Sequence, residues 1–184
     1  MKQRLTTLAT ALLGISLLSA CAGMNARTPV YSQAALPAAV QVPAGNRVAM
    51  ETAATGLITY ECRAKAATAG QFEWVFVGPE AKLVDRSGKP AGRYFGPPAT
   101  WESLDGSKLT ATQVAVAPGM AGAIPLQLVK ANPAMGAGMM QGVTYIQRVG
   151  TRGGVAPSAA CAQPNLGARQ VVDYSADYIF YKAS

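Results

Sequence analysis

The sequence predicts an all-β domain, a single antiparallel sandwich or barrel of about ten short strands, preceded by a signal peptide and a flexible tether. Three observations predict it. Alternating or β-branched segments recur at short spacing, and many of the 19 glycines and 12 prolines punctuate the junctions between them. After the leader, no long segment places apolar residues at three- and four-residue spacing between helix caps.

Residues 1–20 have the three parts of an export signal: Lys2 and Arg4, an apolar run from Leu5 to Leu18, and small residues before Cys21. The run is too short for a good spanning helix, which needs roughly 20 apolar residues. Leu18-Ser19-Ala20-Cys21 fits the bacterial lipobox, which predicts that Cys21 becomes the lipid-carrying first residue of the mature chain. Acyl chains on that residue would hold the protein at a membrane surface. Ala22 at the next position resembles the pattern of proteobacterial lipoproteins sorted to the outer membrane, and the expected location is its periplasmic side. Removing Lys2 and Arg4 leaves 14 basic residues against 9 acidic ones, a net charge near +5. Residues 21–41 are rich in Ala, Pro, Ser, Thr and Asn, without apolar periodicity, and read as a flexible tether. The folded domain is expected over residues 42–184.

Strands follow in order. Arg47 to Thr52 and Leu57 to Lys65 are β-branched or alternating and flank Ala53-Ala54-Thr55-Gly56. Gln71 to Gly78 alternates strictly, with Phe72, Trp74 and Phe76 on one face. Ala81 to Asp85 leads into the turn Arg86-Ser87-Gly88-Lys89. Arg93 to Phe95 and Ala99 to Glu102 come next, then the turn Leu104-Asp105-Gly106-Ser107. Lys108 to Ala117 alternates, and Ile124 to Lys130, Gly142 to Val149 and Gln170 to Tyr181 complete the set.

The chain has three cysteines and no histidine. Without histidine there is no Ser-His-Asp triad, Cys-His dyad or HExxH zinc site. With Cys21 assigned to lipid, Cys62 and Cys161 are left to pair in an oxidising compartment; the competing reading is two unrelated buried thiols. The positive charge is dispersed, with no basic stripe interleaved with stacking aromatics, which argues against a nucleic-acid partner.

Chemistry must then rest on carboxylates and aromatics. Glu102 and Asp105 flank Trp101 in a pattern compatible with a sugar-binding or glycosidase cleft, or with a buried Trp beside an Asp-Gly turn. Asp177 and Tyr178 lie in an aromatic C-terminal segment, where Asp177 must be solvated or paired with a base such as Arg148. Gly136-Ala137-Gly138-Met139-Met140-Gln141 lacks the third glycine and the strand–helix context of a dinucleotide fingerprint. The thioethers of Met120, Met135, Met139 and Met140 offer soft ligands, but without histidine or spare cysteine a packed loop is the better reading. No metal or cofactor is implied.

One ordered series of motifs runs through the domain: Tyr60-Glu61-Cys62, Glu73-Trp74-Val75-Phe76-Val77-Gly78-Pro79-Glu80-Ala81, Thr100-Trp101-Glu102 with Asp105-Gly106-Ser107, Gly122-Ala123-Ile124-Pro125, Ile146-Gln147-Arg148-Val149 with Gly153-Gly154-Val155-Ala156-Pro157, and Ala176-Asp177-Tyr178. The series resembles domain-of-unknown-function family 3455, found in exported bacterial and secreted fungal proteins. The resemblance covers residues 42–181 and places Cys62 and Cys161 where that family has its paired cysteines. It implies no activity and no catalytic residue. The expected function is a non-enzymatic envelope module that binds a small ligand, a glycan or an envelope protein, with Trp101, Glu102, Asp105, Arg148, Asp177 and Tyr178 as candidate binding residues. Two rivals stand beside it: a carboxylate-dependent glycan hydrolase using Glu102 with Asp105 or Asp177, and a purely structural lipoprotein.

Overall fold

The computed structural model describes residues 31–184, and the expected leader, Cys21 and residues 22–30 lie outside the described residues. Eight strands run in sequence: β1 (Asn46–Ala64), β2 (Phe72–Asp85), β3 (Pro90–Phe95), β4 (Thr100–Ser103), β5 (Lys108–Ala117), β6 (Leu126–Ala131), β7 (Val143–Gly153) and β8 (Arg169–Ala183). Each pairs antiparallel with the next, and β8 pairs with β1, which closes a barrel. Of the two expected architectures, the barrel is the one formed.

Ten expected strands become eight because the breaks expected at Ala53–Gly56 and at Pro79-Glu80, just after Gly78, are not formed. Ala53-Ala54-Thr55-Gly56 runs straight through β1, with Thr55 opposite Lys82 on one side and Ser175 on the other. At Gly56 the backbone of β2 comes so close that a Cβ would lie 2.1 Å from the Glu80 carbonyl oxygen. Gly78, inside β2, meets the Gly96 carbonyl in the same way, at 2.3 Å. Glycine inside a strand marks close backbone approach as well as turns, and in a tightly curved sheet the approach wins. A register shift where Thr59 pairs Gly78 and Tyr60 pairs Phe76 adds a bulge that bends both strands.

Alternate residues then fill the interior. Ala54, Ile58, Leu83, Tyr94, Trp101, Leu109, Ile146, Tyr178 and Phe180 are all buried in one cluster. The two rims differ. Loops 65–71, 96–99, 118–125 and 154–168 form the disulfide rim, where Cys161 bonds Cys62 near the end of β1 with Cα atoms 5.4 Å apart. The expected pairing is the one formed. Loops 86–89, 104–107 and 132–142 form the opposite turn rim.

The domain starts earlier than residue 42. Its compact unit begins at Tyr31, so residues 31–41 are a packed strap and not a tether. Val40 and Val42 are buried on the outer face of the barrel against Ala117, Leu128, Val149, Ile179 and Tyr181, with Tyr31 and Leu36 packed alongside. Gln147, 0% exposed, is the polar centre of this patch. It accepts from the hydroxyls of Tyr31 (3.0 Å) and Tyr181 (2.8 Å) and donates to Gln33 Oε1 (2.9 Å) and the Val40 carbonyl (2.6 Å). A polar strap composition hid this, because only Val40 and Val42 are needed to seat it and Gln147 supplies the rest.

Two outcomes test this packing. Gly56→Val forces side-chain atoms into the β2 backbone and is expected at the top of the about 1–3 kcal/mol range for overpacked sites, a fall in Tm of roughly 6–12 °C by thermal unfolding. A chain beginning at Pro43 loses the two buried valines and leaves the Gln147 amide NH2 without its acceptors Gln33 and Val40, so its urea-unfolding free energy is expected to fall by roughly 3–6 kcal/mol relative to one beginning at Tyr31.

Candidate functional site

The candidate site is the barrel interior between its middle and the disulfide rim. Strands β3 and β4 set Tyr94 directly opposite Trp101, and both turn inward. Their rings stack with centroids 4.6 Å apart. From the far wall, Tyr178 on β8 reaches both, at 5.0 Å from Tyr94 and 5.6 Å, edge-on, from Trp101. Such aromatic contacts add about 0.5–1.5 kcal/mol each beyond area burial. Tyr174, two repeats of the strand alternation nearer the disulfide rim, shares the inward face with Tyr178.

The polar atoms of this cluster set it apart from an ordinary core. Trp101 Nε1 and the hydroxyls of Tyr174 and Tyr178 are buried without a hydrogen-bond partner among the described residues. The Tyr94, Tyr174 and Tyr178 hydroxyls lie near enough to shift one another's titration, yet Tyr178 and Tyr174 do not reach hydrogen-bonding geometry. Each unpaired buried donor costs about 1–3 kcal/mol. Arg148 stands across from Tyr178 in the β7–β8 ladder and so shares its inward face. It donates from Nε (3.2 Å) and Nη2 (3.0 Å) to the Pro125 carbonyl. Burial pushes Tyr60, Tyr94, Tyr174 and Tyr178 up, and the positive charge of Arg148 opposes that push at all four. The phenols therefore stay protonated well past neutral pH. The cluster presents donors beside a fixed cation, a chemistry suited to holding an acceptor or an anion rather than to abstracting a proton.

Three of the six candidate binding residues, Trp101, Arg148 and Tyr178, meet here; the other three do not. Glu102 follows Trp101 on the outward face and is bound to Arg93 at 2.5 Å. Asp105 sits in the 104–107 turn. Its carboxylate accepts from the Ser107 hydroxyl (2.5 Å), the Ser107 N–H (2.9 Å) and the Met139 N–H (2.7 Å). The Ser107 hydroxyl first, then the backbone N–H groups, hold it down to about 2, the wrong direction for a general acid. Asp177 faces outward while Arg148 faces inward, so the expected Asp177–Arg148 pair is not formed. Adjacent strand residues point to opposite faces, which separates the two although their strands are hydrogen-bonded. Strands β4 and β8 are four apart around an eight-stranded barrel, so outward Glu102 and outward Asp177 lie on opposite sides.

Asp177 instead lines an outer groove of about 370 Å³ with Tyr31, Glu51, Asp85 and Arg86. Desolvation there pushes it up. Glu51 is bound to Arg86, and Asp85 caps its own turn through Ser87 and Lys89, which commits both acids to structure. Among the described residues no group of three Asp, Glu, Cys or His side chains is placed to hold a metal. Sequence reasoning missed Tyr94, whose strand showed too few residues to carry a pattern. Only its pairing with Trp101 across the 96–99 turn signals its role.

An eight-stranded up-and-down antiparallel barrel with an aromatic, donor-lined interior is the class these observations define. The chain belongs to the family described as Protein of unknown function (DUF3455), whose profile matches residues 43–182. The match begins just after the strap. No curated protein and no solved structure matches the chain.

The Asp105 network gives a pH signature. Its carboxylate lies below the ordinary unfolded value of about 3.9, so its contribution is complete above that pH and is lost as pH falls through about 2. Urea titrations between pH 5 and pH 2 are expected to show a drop in stability that Asp105→Asn reduces, the remainder coming from Glu61 and Asp85, which are held down as well.

Proposed function

We propose that the protein is a bacterial envelope lipoprotein, anchored through an acylated Cys21 at the periplasmic side of the outer membrane, whose barrel is a non-enzymatic binding module. Its ligand is a small molecule rich in hydrogen-bond acceptors, with an anionic group favoured by Arg148. The single observation that carries the binding reading is the gathering of three unpaired buried donors, on Trp101, Tyr174 and Tyr178, in one aromatic cluster next to that guanidinium. A buried donor without an acceptor is costly, and a ligand atom between these groups would recover that cost at each of them. The lipobox at Leu18-Ser19-Ala20-Cys21 supports the anchor.

A glycan is the less favoured ligand, because sugar clefts need open surface and the donors here are enclosed. Hydrolysis is less favoured again, since Glu102 and Asp105 are engaged in structural bonds and Glu102 and Asp177 face away from each other.

Native mass spectra of the exported chain test the binding half. The expected result is a reproducible bound mass that disappears on denaturation and whose retention falls at least about tenfold in Trp101→Phe/Tyr178→Phe. A bare mass under gentle purification, or a bound mass indifferent to the double substitution, would overturn it. An N-terminal peptide beginning at Cys21 and carrying acyl mass tests the anchor separately.

A further inference from the structure

Exposed apolar side chains and exposed cations share the turn rim. Leu104 is 70% exposed, Met135 48% and Met139 53%. They come from two loops that are tied together: Asp105 accepts from the Met139 N–H at 2.7 Å, and Lys108 and Met135 exchange two backbone hydrogen bonds of 3.0 and 2.7 Å. The three apolar tips therefore form one rigid edge and not two separate loops. The same rim carries Arg47, Lys89, Lys108, Lys130 and Lys182, which take no part in the ion pairs found among the described residues. Arg47 and Lys182 are direct cross-strand partners, a like-charge pairing that is unfavourable by itself. The acids of this rim are largely engaged elsewhere: Asp85, which also feels the charge of Lys89, and Asp105 cap their own turns, and Glu51 is bound to Arg86. The disulfide rim also exposes Met120, Val155 and Leu166, but there Glu61 engages both Arg63 and Arg169.

The chain itself reaches the turn rim. Tyr31, the first described residue, lines a groove with Asp85 at the end of β2 and with Arg86 and Gly88 of the 86–89 turn. Ten residues separate it from Cys21 (31 − 21), which span at most about 35 Å when fully extended.

We propose that the turn rim is a membrane-docking face, seating its cations on anionic phospholipid headgroups and setting Leu104, Met135 and Met139 at the boundary with the acyl chains. Apolar tips and cations on one rim match the two attractions an anionic bilayer surface offers, burial of apolar area and charge neutralisation. The barrel then stands on end, with its disulfide rim directed away from the membrane. The short reach from Cys21 rests on the lipid-anchored reading; the docking chemistry does not.

The test uses the whole exported chain with Cys21→Ser, so that binding is measured without an acyl group. Vesicles of phosphatidylethanolamine containing about 30% phosphatidylglycerol supply the anionic surface, and phosphatidylcholine vesicles the neutral one. The expected result is co-flotation with the anionic vesicles only, released by about 0.5 M salt. Leu104→Ser/Met135→Ser/Met139→Ser and, separately, Lys89→Glu/Lys130→Glu are each expected to lower the bound fraction at least about tenfold with unchanged thermal unfolding, since all five side chains lie on the surface. A chain that stays unbound from anionic vesicles, or variants that float as the parent does, would overturn the proposal. A missing acyl mass on the native Cys21 would overturn the anchor alone and leave this result standing.

Discussion

Closure of the sheet by β1 and β8 is the constraint on which the rest depends. Their ladder runs from Asn46 opposite Ala183 to Glu61 opposite Arg169, and it brings the two ends of the described barrel together. Until that ladder forms, the inward face of β8, with Tyr174, Tyr178 and Phe180, has no wall opposite it. Once formed, it leaves no open sheet edge and turns a set of alternating strands into an inside and an outside. The pairing joins residues far apart in sequence, so its loop-closure cost is met late, by burial of the whole interior at once. The Cys62–Cys161 bond, with a separation of 99 residues, shortens that closure from the disulfide rim.

Closure also explains why the interior can hold polar atoms. In a barrel of eight strands the central space is just wide enough for side chains to fill or for one small ligand. Large aromatics line it here, and each Tyr or Trp brings a donor that must end somewhere. Tyr60 ends on the Gly154 carbonyl at 2.7 Å and Trp74, at the rim, on the Ala159 carbonyl at 2.7 Å. Trp101, Tyr174 and Tyr178 have no such backbone oxygen in reach. The polarity of the interior is therefore graded: satisfied by loops near the disulfide rim, unsatisfied deeper in, and apolar around Leu109, Met140 and Phe180 towards the turn rim.

The outer face is divided just as unevenly. The strap covers the apolar patch around Val149, Ile179 and Tyr181, with Gln147 satisfied on both of its amide atoms. Across β1 to β3 the outer face stays open as an apolar groove of about 680 Å³ above Gly56, edged by Leu57, Val84 and Arg93.

The sequence by itself determined the class of fold, the disulfide and most strand positions, because alternation, turn residues and cysteine count are local signals that survive without knowing any partner. It also marked Trp101, Arg148 and Tyr178, since aromatics and a lone arginine in apolar strands are visible one residue at a time. Strand number was misjudged where breaks were expected at Ala53–Gly56 and just after Gly78, because a glycine's reason for being there is set by the neighbouring strand. The tertiary structure alone decided which candidates meet. Side-chain parity and strand order sent Glu102 and Asp177 outward on opposite sides and separated Asp177 from Arg148, while closure carried Tyr94, Trp101, Tyr174 and Tyr178 into one cluster. Register and closure are relations between distant residues, and no local pattern contains them.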